Sequence, residues 1–319
     1  MIVVRLNARS VAAVRLAPSP ASEVLAWLKT VATGQSHPRF GDPGPCARAA
    51  LSHPDIGLIA TLLRGDSGYV PDFLTPKPPA GPWERTLDRQ LDVVRETPAE
   101  AVETQLLLGQ YPGRRMPAAV RQEMEAGTFG RRAANGLHWF WRATLADDWR
   151  TLDTAITADL RRRAWTMATH GVGHVLEALH PKLRWTGDHL HINMRWDEES
   201  DLTDAELVLS PAILGWPRLK VQVCDPGNAV IVYPVNGEHR GTPLLASLVG
   251  ATRARILTGL DAPSTTTQLS REHGLAPSTV SHHLSVLLGA GMVARARCGA
   301  VVHYERTERG DALVHGKPA

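Results

Sequence analysis

Ser278, Thr279, Ser281, His282 and His283 place three hydroxyls and two imidazoles within six consecutive positions of the stretch LAPSTVSHHLSVLLGAGMV, residues 275 to 293. Short donors and acceptors over the first turns of a helix are groups that read base edges in a DNA major groove, because they do not hold the helix away from it. They also suit a plain solvent face, so the elements around them decide. Val280, Leu284, Leu287 and Leu288 stand at i, i+4, i+7 and i+8 and predict one buried stripe. Ser278, Thr279, His282 and Val286 then fall opposite that stripe, with Ser281 and His283 on its flanks.

The neighbouring sequence supplies what would position such a helix. LLASLVGATRARILTGL carries Leu245, Leu248, Val249, Ile256, Leu257 and Leu260 at helical spacing, and Asp261-Ala262-Pro263 breaks it. Thr265 with Gln268 three residues on is a capping-box pattern, Gly274 is a stop, and Pro277 suits the first turn of the next helix. Gly289-Ala290-Gly291 ends that helix. MVARARCGAVVHYER then reads as two β-runs about a turn at Cys298-Gly299-Ala300, with Arg295 and Arg297 leading into it. Helix, turn, helix and basic hairpin is the order of a winged helix, whose wing meets the sugar-phosphate backbone.

These residues resemble the DNA-binding domain of ArsR-type bacterial repressors, whose signature joins S-T-V-S-x-H-L to L-x-x-x-G-[ML]-V; the resemblance covers roughly 244 to 312. More weakly, HPKLRWTG, LVLSPAILGWP and VIVYP resemble long members of that family with an added amino-terminal domain of unassigned ligand. The resemblance implies a transcriptional repressor that binds double-stranded DNA as a homodimer and responds to a small-molecule effector. The family's metal sensors use paired thiolates beside the second helix of the domain, or His/Asp/Glu ligands on a terminal helix. Here the first place holds Thr265-Thr266-Thr267-Gln268 and the chain ends in the short TERGDALVHGKPA, so neither a metal nor a cofactor is expected. The short end also leaves dimerisation to the amino-terminal region or to Leu244 to Leu260.

The chain that carries this module has 319 residues, enough for two or more domains. Its net charge of +3 is unevenly placed: from residue 244 onward eight Lys and Arg face five Asp and Glu, whereas residues 1 to 243 hold 27 of each. The excess has the sign that phosphates attract. No apolar run is long enough for a membrane span, and MIVVRLNARS does not read as a secretory signal, so the expected location is the cytoplasm. Cys46, Cys224 and Cys298 are too far apart in sequence for a metal or redox pair and read as small, half-buried side chains.

To about residue 182 the pattern is mostly helical after a short strand at Ile2 to Leu6, with helices over 21 to 31, 85 to 95, 99 to 108, 118 to 143 and 149 to 179. The five prolines of PDFLTPKPPAGPW, residues 71 to 83, make a connection. Short β-rich runs follow from 183 to 236 and suit a small antiparallel sheet, and VNGEHRGTP, residues 235 to 243, has the composition of a linker. The reading is an α+β chain in three parts: a helical sensor and dimerisation region, 1–182; a β-rich segment, 183–239; and a winged helix-turn-helix, 240–319.

Two rival classes remain. His170 and His174 at i, i+4 point to a metal-dependent hydrolase, but position 171 is Gly where such an enzyme carries its glutamate base. His180, His189 and His191 lack carboxylate or cysteine companions at ligand spacing, and no phosphate loop, dinucleotide fingerprint or G-x-S-x-G is present, so no catalytic residue is assigned. The third class is a winged helix that holds another protein. Salt-dependent DNA retention separates the first reading from both.

Overall fold

Ile2 and Val4 point into the protein from β1 (Ile2–Arg5), and this strand's partners lie nearly two hundred residues away. After it come α1 (Ala8–Ala12), capped by the Asn7 side chain, β2 (Arg15–Leu16) and α2 (Pro20–Ala32). The helical body continues with α3 (Gly44–Ala50), α4 (Pro54–Leu63), α5 (Thr86–Glu96), α6 (Ala99–Leu108), α7 (Ala118–Glu125), α8 (Phe129–Thr144) and α9 (Trp149–Leu179). The strands β3 (Leu183–Trp185), β4 (His189–Ile192), β5 (Glu198–Asp201), β6 (Val208–Ala212), β7 (Lys220–Gln222) and β8 (Val230–Pro234) follow. This computed structural model describes residues 1–64, 69–108, 116–194, 196–235, 245, 248–260, 263–298 and 301–315. Of the linker expected at 235 to 243, all but Val235 lies outside the described residues.

The chain is α+β and divides into two compact units, Met1–Val235 and Asn236–Ala319. In the first, the strands of 183 to 234 do more than pair with one another. β3, β4, β1 and β5 form one sheet in that order, antiparallel except for the parallel pair β1 and β5. β2, β6, β8 and β7 form a second, in which β2, β6 and β8 run parallel and β7 antiparallel. Both sheets are therefore mixed, and each recruits a strand from the first sixteen residues. Every residue of β6 and β8 is buried, which is why VLSPA and VIVYP lack polar alternation. Pro211 is tolerated in β6 because β2 pairs only with Val208 and Leu209, so no ladder partner is lost beyond them.

The long helical runs are interrupted where glycine permits it. The expected helix over 118 to 143 is two, α7 and α8, separated at Gly127 with φ 65°. α9 bends at Gly171, whose φ of 82° is outside the helical region. α8 is the centre of the helical core, turning Ala133, Ala134, Leu137 and Phe140 inward together with two glycines. A methyl at Gly136 would meet the Asp55 carbonyl oxygen at 2.5 Å, and one at Gly130 the Val94 carbonyl oxygen at 2.9 Å. These glycines let α8 lie against α4 and α5, and Arg132 of α8 pairs with Asp55 of α4 (2.6 Å) and with Glu123 of α7 (2.5 Å). Gly136→Ala is expected to destabilise the first unit by about 1–3 kcal/mol in urea unfolding, the usual range for overpacking against unyielding atoms. Gly289→Ala, at a helical position of the other unit with no atom within 4 Å, should show no such loss and gain up to about 1 kcal/mol there.

Candidate nucleic-acid interface

The second unit is built on a core of Ala254, Ile256, Leu257, Leu269, Val280, Leu284, Leu287 and Val293. Its elements are α10 (Ala251–Gly259), α11 (Thr266–His273), α12 (Pro277–Gly289), β9 (Val293–Cys298), β10 (Val301–Arg306) and α13 (Glu308–His315). Thr265 and Gln268 form the capping box in both directions, Gln268 Oε1 accepting from the Thr265 amide at 2.7 Å and Thr265 Oγ1 from the Gln268 amide at 3.2 Å. Gly274 ends α11 in the left-handed region, φ 64° and ψ 34°, and Pro277 opens α12. The two caps fix the turn, and the turn sets the angle of α12.

β9 and β10 pair antiparallel from Val293 with Arg306 to Cys298 with Val301. Ser264 adds a short third edge: its amide donates to the Tyr304 carbonyl at 2.9 Å and the Tyr304 amide to its own carbonyl at 2.8 Å. Arg306 ties the hairpin base to α10 by donating to the carbonyls of Leu257 and Thr258, each at 3.0 Å, which satisfies acceptors the helix end leaves open. Residues 299 and 300 of the expected turn lie outside the described residues.

Val280 and Leu284 are wholly buried and Leu287 nearly so, while Leu288 is half-buried. The outer face of α12 is then Ser278, Ser281, His282 and Ser285, all exposed, with Val286 beside them at 39 % exposure. Thr279 and His283 are half-buried on its margins. The centre of the face is thus one position away from the sequence expectation, toward Ser281 and away from Thr279. Ser285 is the residue the motif does not announce, although its i+4 and i+7 relation to Ser281 and Ser278 marks it. Its hydroxyl donates to the Ser281 carbonyl at 2.9 Å, which aims the oxygen lone pairs outward as acceptors.

The His282 and His283 rings lie 5.5 Å apart. Burial, reinforced by His282 and Arg253, holds His283 below the ordinary histidine value. Ala276 at the N-cap has no side chain to cover the first amides of α12, which stay open to an anion. Arg295 and Arg297 are exposed at alternate positions of β9 and so share one face of the hairpin.

The remaining titratable candidates do not assemble. His170 and His174 are exposed with stacked rings 5.1 Å apart, across the Gly171 bend. His180 accepts from the Lys182 amide at 3.1 Å, and burial together with the charge of Lys182 brings it down to about 4. His189 pairs with Asp188 at 2.7 Å, and His191 lies 3.4 Å from the Thr186 hydroxyl. Among the described residues no three His, Cys, Asp or Glu side chains come together as a metal would need. Cys46 and Cys224 are exposed rather than half-buried, and the side chain of Cys298 is outside the described residues.

Residues 251–296 match the family model of a helix-turn-helix domain, and residues 133–239 match a family of unknown function, DUF5937. No curated protein and no solved structure matches the chain. The carboxyl-terminal unit thus contains a helix-turn-helix domain, a module through which regulators bind DNA. No helix among the described residues is long and apolar enough to cross a membrane.

Proposed function

We propose that this chain is a sequence-specific transcriptional regulator of the ArsR type, a repressor in which α12 reads the major groove and the β9–β10 hairpin rests on the backbone. The observation that carries the reading is the outer face of α12, where Ser278, Ser281, His282 and Ser285 stand exposed at i, i+3, i+4 and i+7 on a helix that Pro277 opens directly after the capped α11. Thr279 and His283 border that face. Two copies acting as a homodimer would bring two such helices to successive half-sites. The unit Met1–Val235 is the place for an effector, and a chain that acts on DNA works in the cytoplasm.

The test uses the full chain on its genomic binding sites. Ser278→Ala, Ser281→Ala and His282→Ala together are expected to erase about 1–3 kcal/mol of discrimination per good base contact while leaving thermal unfolding unchanged. Arg295→Ala with Arg297→Ala should weaken binding to all sequences alike and flatten the slope of log K against log salt by about 0.9 per lost phosphate contact. Unchanged discrimination in the helix variant removes α12 from recognition. An unchanged salt slope removes the hairpin from the backbone.

A further inference from the structure

We propose that the exposed face of the first half of α9 is a self-association surface whose partner is a second copy of this chain, packed antiparallel about a two-fold axis at Ala158. The inference rests on the paired-copy part of the proposed function and not on DNA binding itself. Between Trp149 and the bend at Gly171 this helix buries only Leu152, Ile156, Asp159 and Leu160. Thr151, Thr154, Ala158, Arg161, Trp165 and Ala168 succeed one another at steps of three and four residues, and all are exposed. That spacing puts them on one face of the helix, with Trp165 the large apolar side chain on it. Trp165 is 72 % exposed, more than any other large apolar side chain among the described residues.

The seam is symmetric about its small residues. Thr151 and Trp165 each lie seven residues from Ala158, about 10 Å along the helix axis. A two-fold axis at Ala158 sets the Trp165 of each copy level with the partner's Thr151, beside an open hollow of about 640 Å³ lined by Trp141, Ala146, Asp147, Trp149, Arg150 and Asp153. The hollow offers Trp165 two indoles to pack on and a guanidinium for its ring face. The Trp141 indole N–H is buried there without an acceptor. Ala155 and Ala158 let two backbones come close at the axis, toward the short end of the usual interaxial range of about 8–10 Å.

Charge selects the antiparallel direction. Asp147, Asp148 and Asp153 outnumber Arg150 before Ala158, and Arg161, Arg162 and Arg163 outnumber Asp159 after it. Antiparallel packing lays the acidic end of one helix on the basic end of the other, whereas parallel packing lays like on like.

Sedimentation and mass photometry of the full chain test the proposal. The wild type is expected at twice the 34.7 kDa chain mass without DNA. Trp165→Ser and Ala158→Arg should each raise the dimer dissociation constant at least about tenfold, as loss of a central aromatic anchor or like charges on the axis would do. At protein concentrations where the wild type is monomeric, unfolding curves should stay in place, because both positions are exposed. With Cys46, Cys224 and Cys298 replaced by Ser, Ala158→Cys should cross-link to its own copy on oxidation while Ala168→Cys, well off the axis, should not. A monomeric wild type overturns the paired-copy reading and this surface with it. A dimeric wild type whose variants remain dimeric, or whose Ala158→Cys form does not cross-link, overturns the surface alone.

Discussion

Leu284→Ala is expected to cost the carboxyl-terminal unit about 2–5 kcal/mol, the range for emptying a fully buried leucine site. Leu284 is 0 % exposed in a core it shares with Ala254, Ile256, Leu257, Leu269, Val280 and Leu287. This core must hold α12 against α10, α11 and β9 with few residues, so little is left to close over the cavity. The chain provides its own control, because all nine tryptophans, from Trp27 to Trp216, belong to the unit Met1–Val235. In urea, tryptophan fluorescence follows that unit alone, whereas helical circular dichroism follows both. Leu284→Ala should bring the dichroism transition of the second unit to lower urea, leave the tryptophan midpoint in place, and abolish DNA retention at denaturant concentrations the wild type withstands. Ser285→Ala, one residue along and exposed, should stay within about 0.5 kcal/mol of wild type. A tryptophan midpoint displaced as far as the dichroism would mean that the two units do not unfold independently.

Much of the carboxyl-terminal unit is legible in sequence because its decisive interactions are local. Thr265 and Gln268 satisfy each other across three residues, Gly274 supplies a left-handed stop, and Pro277 supplies a start, so the ends of α11 and α12 follow from caps alone. The α+β class is legible for a similar reason: helical spacing over 21 to 31 and 99 to 108 and the β-branched runs after 183 are properties of short windows. The sheets are not legible. β1 takes β4 and β5 as partners at separations near 190 residues, and β2 is two residues long, too short to show a period. α4 escapes because IGLIATLL is apolar on every side, as suits a helix buried in the core, and so shows no amphipathic face to detect.

The bend in α9 is hidden for another reason. A glycine inside a helical pattern is ordinarily tolerated, and the positive φ of Gly171 depends on what packs beyond it, where Trp185 would lie 2.8 Å from a methyl at Gly173. In the candidate site, the stripe Val280, Leu284, Leu287 and Leu288 orients α12 almost correctly, yet Leu288 is only half covered. That difference in burial is what turns Ser281 and Ser285 to the middle of the exposed face and moves Thr279 to its edge.

Between pH 4.5 and pH 8 the unit Met1–Val235 is expected to lose about 3 kcal/mol of stability through Glu23 alone, from a carboxyl raised to about 7 by burial. Glu23 stands in the first turn of α2, where a glutamate normally faces water, but it is 0 % exposed. Its two oxygens accept from the amides of Ile213 (2.6 Å) and Leu214 (2.7 Å), just past the end of β6. Both amides favour the carboxylate, but desolvation outweighs them. The unfolded chain gives up this proton near 4.5 and the folded one near 7, so the folded state holds more protons between those values and its stability falls as pH rises through them.

His37 and His180 act in the opposite direction. Both are brought down to about 4, mainly by burial, so their contribution is complete above 6.5 and is lost as pH falls toward 4. The wild-type profile is therefore the sum of opposed trends, and the difference between wild type and Glu23→Gln isolates the carboxyl. That difference should decline by up to about 1.4 kcal/mol per pH unit between pH 5 and pH 7 and level off above it. The location gives the titration a structural consequence: Val235, the last residue of this unit, donates its amide to the Ala212 carbonyl at 2.8 Å and accepts from Arg39 at 2.6 Å. The strand end that Glu23 anchors is thus the one that holds the exit of the chain toward the helix-turn-helix unit. Urea midpoints by tryptophan fluorescence at half-unit pH steps measure the difference, and a curve flat from pH 5 to pH 8 would show Glu23 ionised throughout and its burial offset by the two amides.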